Sequence, residues 1–133
     1  MKALFRFTLP LFIFLLFSCN KSESASANEA VSGTWKLVET LTDPGDGSGI
    51  WQPSTGAAHT YLLFYDNGLI GGNAFPEARN YAVANDTTIK FTYADGTFIN
   101  YTYTLSETTL VLSGGGCIEA CGAKFVRETT PHN

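Results

Sequence analysis

The chain has 133 residues and a formal net charge of −4, with 15% charged and 14% aromatic residues. This length suits a single domain, and the low charge with many aromatics is typical of a compact β domain and not of a disordered chain. Lys2 and Arg6 lie near the N-terminus, so the chain after residue 18 has six basic residues against twelve acidic ones. No cluster of lysine or arginine follows, which argues against binding to nucleic acid or to a membrane surface through a basic patch.

Residues 1–18 have the pattern of an export signal. Lys2 and Arg6 precede an almost wholly apolar run over residues 7–17. A run of about 11 residues fits the apolar core of a signal peptide and falls short of the ~20 needed to span a bilayer. We therefore predict that residues 1–18 are a signal peptide.

The segment Leu16-Phe17-Ser18-Cys19 ends this run. It resembles the lipobox of bacterial lipoproteins, in which an aliphatic, a variable and a small residue precede a cysteine. The resemblance implies cleavage before Cys19, its acylation with fatty acids such as palmitate, and anchoring in the cell envelope, with Asn20 indicating the outer membrane. Two or three acyl chains anchor firmly, because each buried methylene contributes about 0.8 kcal/mol. The alternative is a plain secretory signal that is cleaved near a cysteine.

Residues 19–30 follow the expected cleavage site and are rich in Ser, Ala and Glu. They lack a hydrophobic period, so we expect a flexible tether between the membrane and the folded domain. The domain itself is expected over residues 31–133.

From Gly33 onward, segments of alternating apolar and polar residues are separated by turn signals such as Asn67-Gly68 and Asp95-Gly96, which indicates strands and no helix. We predict eight strands, over residues 33–41, 60–65, 69–73, 79–84, 88–93, 98–105, 110–112 and 123–128. Eight short antiparallel strands form an up-and-down barrel or a sandwich, and closure, which removes exposed edges, favours the barrel.

The first strand opens with Gly33-Thr34-Trp35-Lys36-Leu37, which carries a Gly-x-Trp pattern. With the two turns and the segments 105–112 and 124–127, it resembles the lipocalin-like domains of bacterial lipoproteins over about residues 31–128. The resemblance implies that Trp35 closes one end of the barrel beneath Arg127, a stacking that cation–π attraction supports. An eight-stranded barrel either fills its interior with side chains or holds one small ligand.

Cys117 and Cys121 remain as a pair once Cys19 is assigned to lipid. In an oxidising compartment we expect a disulfide, and the flanking glycines allow the tight backbone that it needs. The alternative is a redox or metal-binding pair. A redox pair has two intervening residues where this one has three, and a zinc site needs ligands beyond the distant His59 and His132.

Five aromatic residues are candidates for contact with a small apolar or amphipathic ligand: Trp51, Tyr61, Phe91, Tyr101 and Tyr103. Tyrosine offers an apolar body and a hydroxyl group for a polar atom of a ligand. The alternative is that these side chains pack the core. Trp51 lies in the long connection over residues 42–58, where it either covers the open end or folds back onto the core.

Asp43, Asp46 and Ser48 superficially resemble a calcium loop, but their spacing is wrong and Ser54 stands where a glutamate is required. A solvated glycine-rich turn is expected there, and no metal site.

Glu39 shares parity with Trp35 and Leu37, so it is expected inside the barrel, where a carboxylate must be paired or neutralised.

No serine or cysteine has an evident base and orienting acid, so we predict no enzyme and no cofactor. The favoured function is that of a monomeric, lipid-anchored envelope protein whose barrel binds a small apolar or amphipathic ligand. The alternative is a structural lipoprotein with a filled barrel, whose loops around Ile50 and Trp51 contact an envelope protein or a surface polymer.

Overall fold

The computed structural model describes residues 23–56, 59–118 and 120–129. The predicted signal peptide (residues 1–18) and the predicted lipidation site Cys19 lie outside these residues. Within them, one helix precedes nine strands, which are α1 (Glu23–Val31), β1 (Gly33–Thr42), β2 (Ile50–Pro53), β3 (Tyr61–Phe64), β4 (Ile70–Gly72), β5 (Ala78–Asn85), β6 (Thr88–Tyr93), β7 (Phe98–Leu105), β8 (Thr109–Gly114) and β9 (Cys121–Arg127). No helix in this part of the chain has the length and apolar character needed to cross a membrane.

Eight strands form an antiparallel sheet that curls into a barrel. Its strand order is β4-β3-β1-β9-β8-β7-β6-β5, and β2 pairs with the second half of β1 beside it. The edges β4 and β5 meet through a bridge between Leu69 and Asn80 and a hydrogen bond of 2.8 Å from the Tyr81 amide to the Gly68 carbonyl oxygen. The prediction of an all-β, eight-stranded antiparallel barrel is therefore confirmed, with a barrel that is nearly closed.

The hairpin turns form where turn residues interrupt the alternating pattern. Gly68 and Gly96 have φ angles of +84° and +83°, which residues with a Cβ atom rarely adopt. The Asp95 carboxylate accepts a hydrogen bond of 2.9 Å from the Thr97 amide and fixes the second of these turns.

A β-bulge between Leu37 and Glu39 shifts the register of β1 against β9. Before the bulge, Trp35 and Leu37 face the core. One extra residue reverses the parity of the strand, so Glu39 points outward and forms an ion pair with Lys124. The prediction that Glu39 faces the interior is therefore wrong.

The prediction of a flexible tether over residues 19–30 is wrong for residues 23–30, which belong to α1. The helix packs on one end of the barrel, where Val31 is fully buried and the Asn28 side-chain oxygen accepts a hydrogen bond of 3.1 Å from the Val83 amide. These tertiary contacts stabilise a short helix that would be marginal alone. We call this end of the barrel the closed end, and the opposite end, at the β8–β9 loop, the open end.

Large side chains fill much of the barrel interior. The fully buried ones are Val31, Trp35, Leu62, Ile89, Phe91, Leu110, Leu112 and Phe125. Phe75, from the β4–β5 loop, enters from the open end, and its ring centroid lies 5.2 Å from that of Phe91 and 5.6 Å from that of Tyr101. Within the described part of the chain, one open space lies near this end of the barrel.

Candidate functional site

Trp35 and Arg127 lie together at the closed end. The Arg127 guanidinium carbon is 4.1 Å from the centroid of the buried Trp35 ring, within cation–π range. The Trp35 indole nitrogen donates a 2.8 Å hydrogen bond to the Val31 carbonyl oxygen, and Arg127 donates to the carbonyl oxygens of Ser32 and Ala30 at 2.7 and 3.2 Å. This pair closes the barrel and also holds the end of α1.

Gly33 is required by the same arrangement. Its φ angle is +127°, and a Cβ atom there would lie 2.9 Å from Nη1 of Arg127. A side chain at this position would therefore push the guanidinium away from the carbonyl groups that it binds. The Gly-x-Trp pattern thus has a physical reason in this fold, since both of its fixed residues serve the Arg127 contact.

A pocket of about 220 Å³ opens at the other end of the barrel, and we call it the mouth pocket. Its inner wall consists of Phe75, Tyr101, Leu112 and Ala123, and its outer wall of Gly114, Gly115, Cys117, Cys121 and Gly122. Apolar side chains with few polar groups are typical of sites for small molecules.

The roof of the mouth pocket is the β8–β9 loop, which is closed by a disulfide. Cys117 and Cys121 are bonded, with their Cα atoms 6.3 Å apart, so the predicted disulfide is confirmed. Gly114, Gly115 and Gly116 all have positive φ angles, of +76°, +84° and +92°. Gly115 lies against the Tyr101 ring so closely that a Cβ atom would overlap with it. The loop thus rests directly on a pocket wall.

Tyr101 and Tyr93 form a polar pair at the mouth. Their hydroxyl oxygens are 2.9 Å apart and hydrogen-bonded. Burial raises the pKa of Tyr101, and the hydrogen bond with Tyr93 raises it further, so its hydroxyl is neutral at physiological pH. Tyr93 also lines a second pocket of about 210 Å³, the rim pocket, whose other residues are Glu77, Ala94, Asp95, Thr97 and Ile99. The tyrosine pair therefore lies between two pockets.

Of the five predicted ligand-contact residues, Tyr101 lines the mouth pocket. Phe91 is fully buried beneath it, with ring centroids 4.9 Å apart, and packs the core. Tyr103 faces inward nearer the closed end, where burial and the charge of Asp86 raise the pKa of its hydroxyl. Tyr61 alternates with the buried Leu62 and lies on the outer face of β3. The structure therefore does not gather these five residues at one site.

Trp51 is also on the outside of the barrel. It lies opposite Leu41 in the β1–β2 pairing, and a Cβ atom at Gly122 would be 2.7 Å from its ring. The Lys124 amino nitrogen is 5.1 Å from the Trp51 ring centroid. Trp51 thus neither covers the open end nor folds into the core, because the bulge in β1 turns Leu41 and its neighbours outward.

The turn after β1 uses its carboxylates for backbone hydrogen bonds. Asp43 accepts from the amides of Gly45, Gly47 and Gly49 at 2.8, 3.2 and 3.2 Å. Asp46 accepts from the Ser48 amide at 2.9 Å. The amide of Gly45 first, and then those of Gly49 and Gly47, hold the pKa of Asp43 below its ordinary value. These bonds describe a glycine-rich turn that is ordered by its own side chains.

Sequence reasoning missed Phe75, Leu112 and Ala123 as residues of the mouth pocket. Leu112 and Ala123 carry the inward parity of their strands, so alternation placed both inside the barrel but not at the mouth. Phe75 lies between strands, next to Pro76, where no periodicity applies.

No family model, curated protein or solved structure matches the chain.

Proposed function

We propose that this protein is a lipid-anchored lipoprotein of the bacterial cell envelope, with a lipocalin-like barrel that binds a small apolar or amphipathic molecule in the mouth pocket. The mouth pocket carries this proposal, because its apolar walls meet a few polar groups in a concave site at the open end of the barrel. Resemblance of the Gly33–Trp35 segment to the lipocalin signature, together with the Arg127 contact, agrees with it.

The volume of the mouth pocket limits the size of its ligand. Sites for drug-sized molecules measure roughly 300–1,000 Å³, whereas an apolar cavity of about 150 Å³ is enough for benzene. At about 220 Å³, the mouth pocket suits a molecule with one ring or a short alkyl chain. The ligand that we propose is therefore smaller than the long-chain lipids that a hollow barrel would accept.

Native mass spectrometry of the protein purified from its own membranes tests this proposal, since it detects a bound molecule that survives extraction. Ala123→Phe places a phenyl ring in the mouth pocket, so we expect the variant to lose the bound molecule. Asn100→Phe, on an exposed outward position beside Tyr101, is the matched control and keeps the bound mass. Absence of any bound mass in the wild-type protein, or its retention in Ala123→Phe, contradicts the proposal.

The lipid anchor depends on Cys19 and is tested separately. Cells fed a clickable fatty acid should label the wild-type protein and leave Cys19→Ser unlabelled. Cys121→Ser controls for other cysteines, because it should keep the label. Labelling of Cys19→Ser would contradict the anchor and leave the pocket proposal unaffected.

A second candidate function is contact with an envelope protein or a surface polymer through the open end. Ile118, at the tip of the β8–β9 loop, is 99% exposed, and Ile50, at the start of β2, is 64% exposed. Both residues lie at the open end of the barrel, where exposed apolar side chains are available for contact with a partner. A photo-crosslinker at residue 118 should then capture a partner in whole cells that the same group at Leu69, near the closed end, does not.

A further inference from the structure

We propose that the ligand of the mouth pocket is a neutral molecule with a hydrogen-bond acceptor such as a carbonyl oxygen, held by a hydrogen bond from the Tyr93–Tyr101 hydroxyl pair. This inference rests on the proposed function, because it concerns the same pocket. It specifies the chemical class of the ligand and the group that recognises it.

The hydroxyl pair has one proton to spare. Two tyrosine hydroxyls carry two protons, and the 2.9 Å hydrogen bond between them uses one. Among the residues that the structure describes, neither hydroxyl has another hydrogen-bond partner. The mouth pocket that Tyr101 lines is open to solvent, so water can accept the spare proton when the pocket is empty. An acceptor on a bound ligand would take the place of that water.

Either tyrosine can present the spare proton. When Tyr93 donates to Tyr101, the Tyr101 proton is used only if a ligand accepts it, and in the opposite arrangement Tyr93 has the free proton. Rotation of both hydroxyl groups interconverts the two arrangements without moving the rings. A ligand acceptor in the mouth pocket selects the arrangement in which Tyr93 donates to Tyr101 and Tyr101 donates to the ligand, because Tyr101 lines that pocket.

The charges around the mouth favour a neutral ligand. Among the described residues that line the mouth and rim pockets there is no lysine, arginine or histidine, and Glu77 and Asp95 line the rim pocket. Asp95 accepts hydrogen bonds from the side chain and the amide of Thr97, so its carboxylate stays ionised at neutral pH. A carboxylate ligand would lose its hydration and face these negative charges without a cation to pair with.

The rest of the mouth pocket determines the shape of the ligand. Phe75, Leu112 and Ala123 provide an apolar wall, and the backbone of Gly114 and Gly115 provides the part of the roof that has no side chains. This slot suits the face of a single ring, with the acceptor directed at the tyrosine hydroxyls. Aromatic ketones, aldehydes and esters combine these properties.

Three probes of similar size separate the contributions of the ring, the acceptor and the charge to binding. Acetophenone has the ring and an acceptor, ethylbenzene has the ring alone, and benzoate has the ring and a negative charge. The measured quantity is the ratio of the dissociation constants of ethylbenzene and acetophenone, obtained by NMR titration of the full chain. We expect this ratio to fall about fivefold in the Tyr93→Phe/Tyr101→Phe double variant, which is the contribution of one neutral hydrogen bond. We also expect benzoate to bind the wild-type protein more weakly than acetophenone.

Tyr65→Phe is the matched control, because Tyr65 is an exposed tyrosine away from the mouth, and it should leave the ratio unchanged. Ethylbenzene binding reports whether the pocket of each variant is intact. If the double variant does not fold, the test uses the carbonyl stretching frequency of acetophenone bound to the wild-type protein. A hydrogen bond from tyrosine lowers this frequency relative to that of acetophenone in an apolar solvent.

The outcomes separate this inference from the proposed function. An unchanged ratio in the double variant, an unshifted carbonyl frequency, or benzoate binding as tight as that of acetophenone overturns the inference while the pocket remains a binding site. Failure of all three probes, together with native mass spectrometry that detects no ligand, overturns the proposed function and this inference with it.

Discussion

The Arg127 guanidinium stacks on the Trp35 ring at 4.1 Å, and both side chains donate hydrogen bonds to carbonyl groups at the end of α1. Arg127 also donates to the Glu107 carbonyl oxygen at 3.0 Å, in the turn between β7 and β8. One side chain therefore ties the helix, the first strand and the β7–β8 turn to the last strand. Carbonyl groups at a helix end favour a positive charge, so the contact suits an arginine in particular.

Arg127→Ala should lower the free energy of unfolding by about 2–3 kcal/mol, because three carbonyl groups and the indole face lose their partner. The free energy of unfolding of Arg127→Lys should lie between those of the wild-type protein and Arg127→Ala, since lysine keeps the charge but not the planar guanidinium group. Urea unfolding followed by tryptophan fluorescence measures both. Arg79→Ala is the control, because Arg79 is exposed and bonds only nearby carbonyl groups of Pro76 and Ala78. An Arg127→Ala loss no larger than that of Arg79→Ala would show that the contact contributes little.

Gly115→Ala should destabilise the protein more than Gly116→Ala does. Both glycines have positive φ angles, so both substitutions strain the backbone by about 1–2 kcal/mol. Only at Gly115 would the new Cβ atom meet the Tyr101 ring, whereas nothing lies within 4 Å of one at Gly116. We expect an additional loss of about 1–3 kcal/mol for Gly115→Ala, together with weaker binding of acetophenone, because the roof of the mouth pocket must lift. Equal losses in urea unfolding would be evidence against the close contact.

The stability of the protein should fall as the pH rises above about 10. Burial, and to a lesser degree the charge of Asp66, raises the pKa of Tyr81 from 10.0 to about 12. The raised folded-state pKa means that the unfolded chain releases this proton first, so the stabilisation is complete below pH ~10 and is lost as the pH approaches ~12. The urea midpoint, measured from about pH 9 to 12, should decline less steeply in Tyr81→Phe than in the wild-type protein. A decline of unchanged slope in Tyr81→Phe would contradict the assignment.

The lipid anchor, if it is on Cys19 as we propose, should turn the closed end of the barrel toward the membrane. α1 packs on the closed end and begins four residues after Cys19. Four residues reach at most ~14 Å. A fluorophore at Asp86, in the closed-end β5–β6 turn, should therefore be quenched by lipid-borne quenchers more strongly than one at Ile118. Insertion of a long Gly/Ser segment before Glu23 should abolish the difference, and stronger quenching at Ile118 would exclude this orientation.

The sequence by itself determined eight of the nine strands, the turns and the disulfide, and it missed β2, which lies inside the connection predicted over residues 42–58. Side chains alternate faces along a strand, so the pattern of Ile89 and Phe91 or of Tyr101 and Tyr103 is a local property that can be read directly. The turn at Asn67-Gly68 follows equally from local chemistry, because glycine allows a positive φ angle. Barrel closure followed from these elements, since an exposed sheet edge is unfavourable.

Only the tertiary structure decided which side chains meet at the mouth. The bulge in β1 reverses the parity of Glu39 and Leu41 and takes Trp51 to the outer face. A bulge depends on how two strands pair, which no single strand reveals. Phe75 enters the barrel from a loop, where there is no period to read. The helix α1 is stabilised by contacts of the folded chain, among them the hydrogen bonds that Trp35 and Arg127, 92 residues apart in sequence, donate to the Val31 and Ala30 carbonyl oxygens.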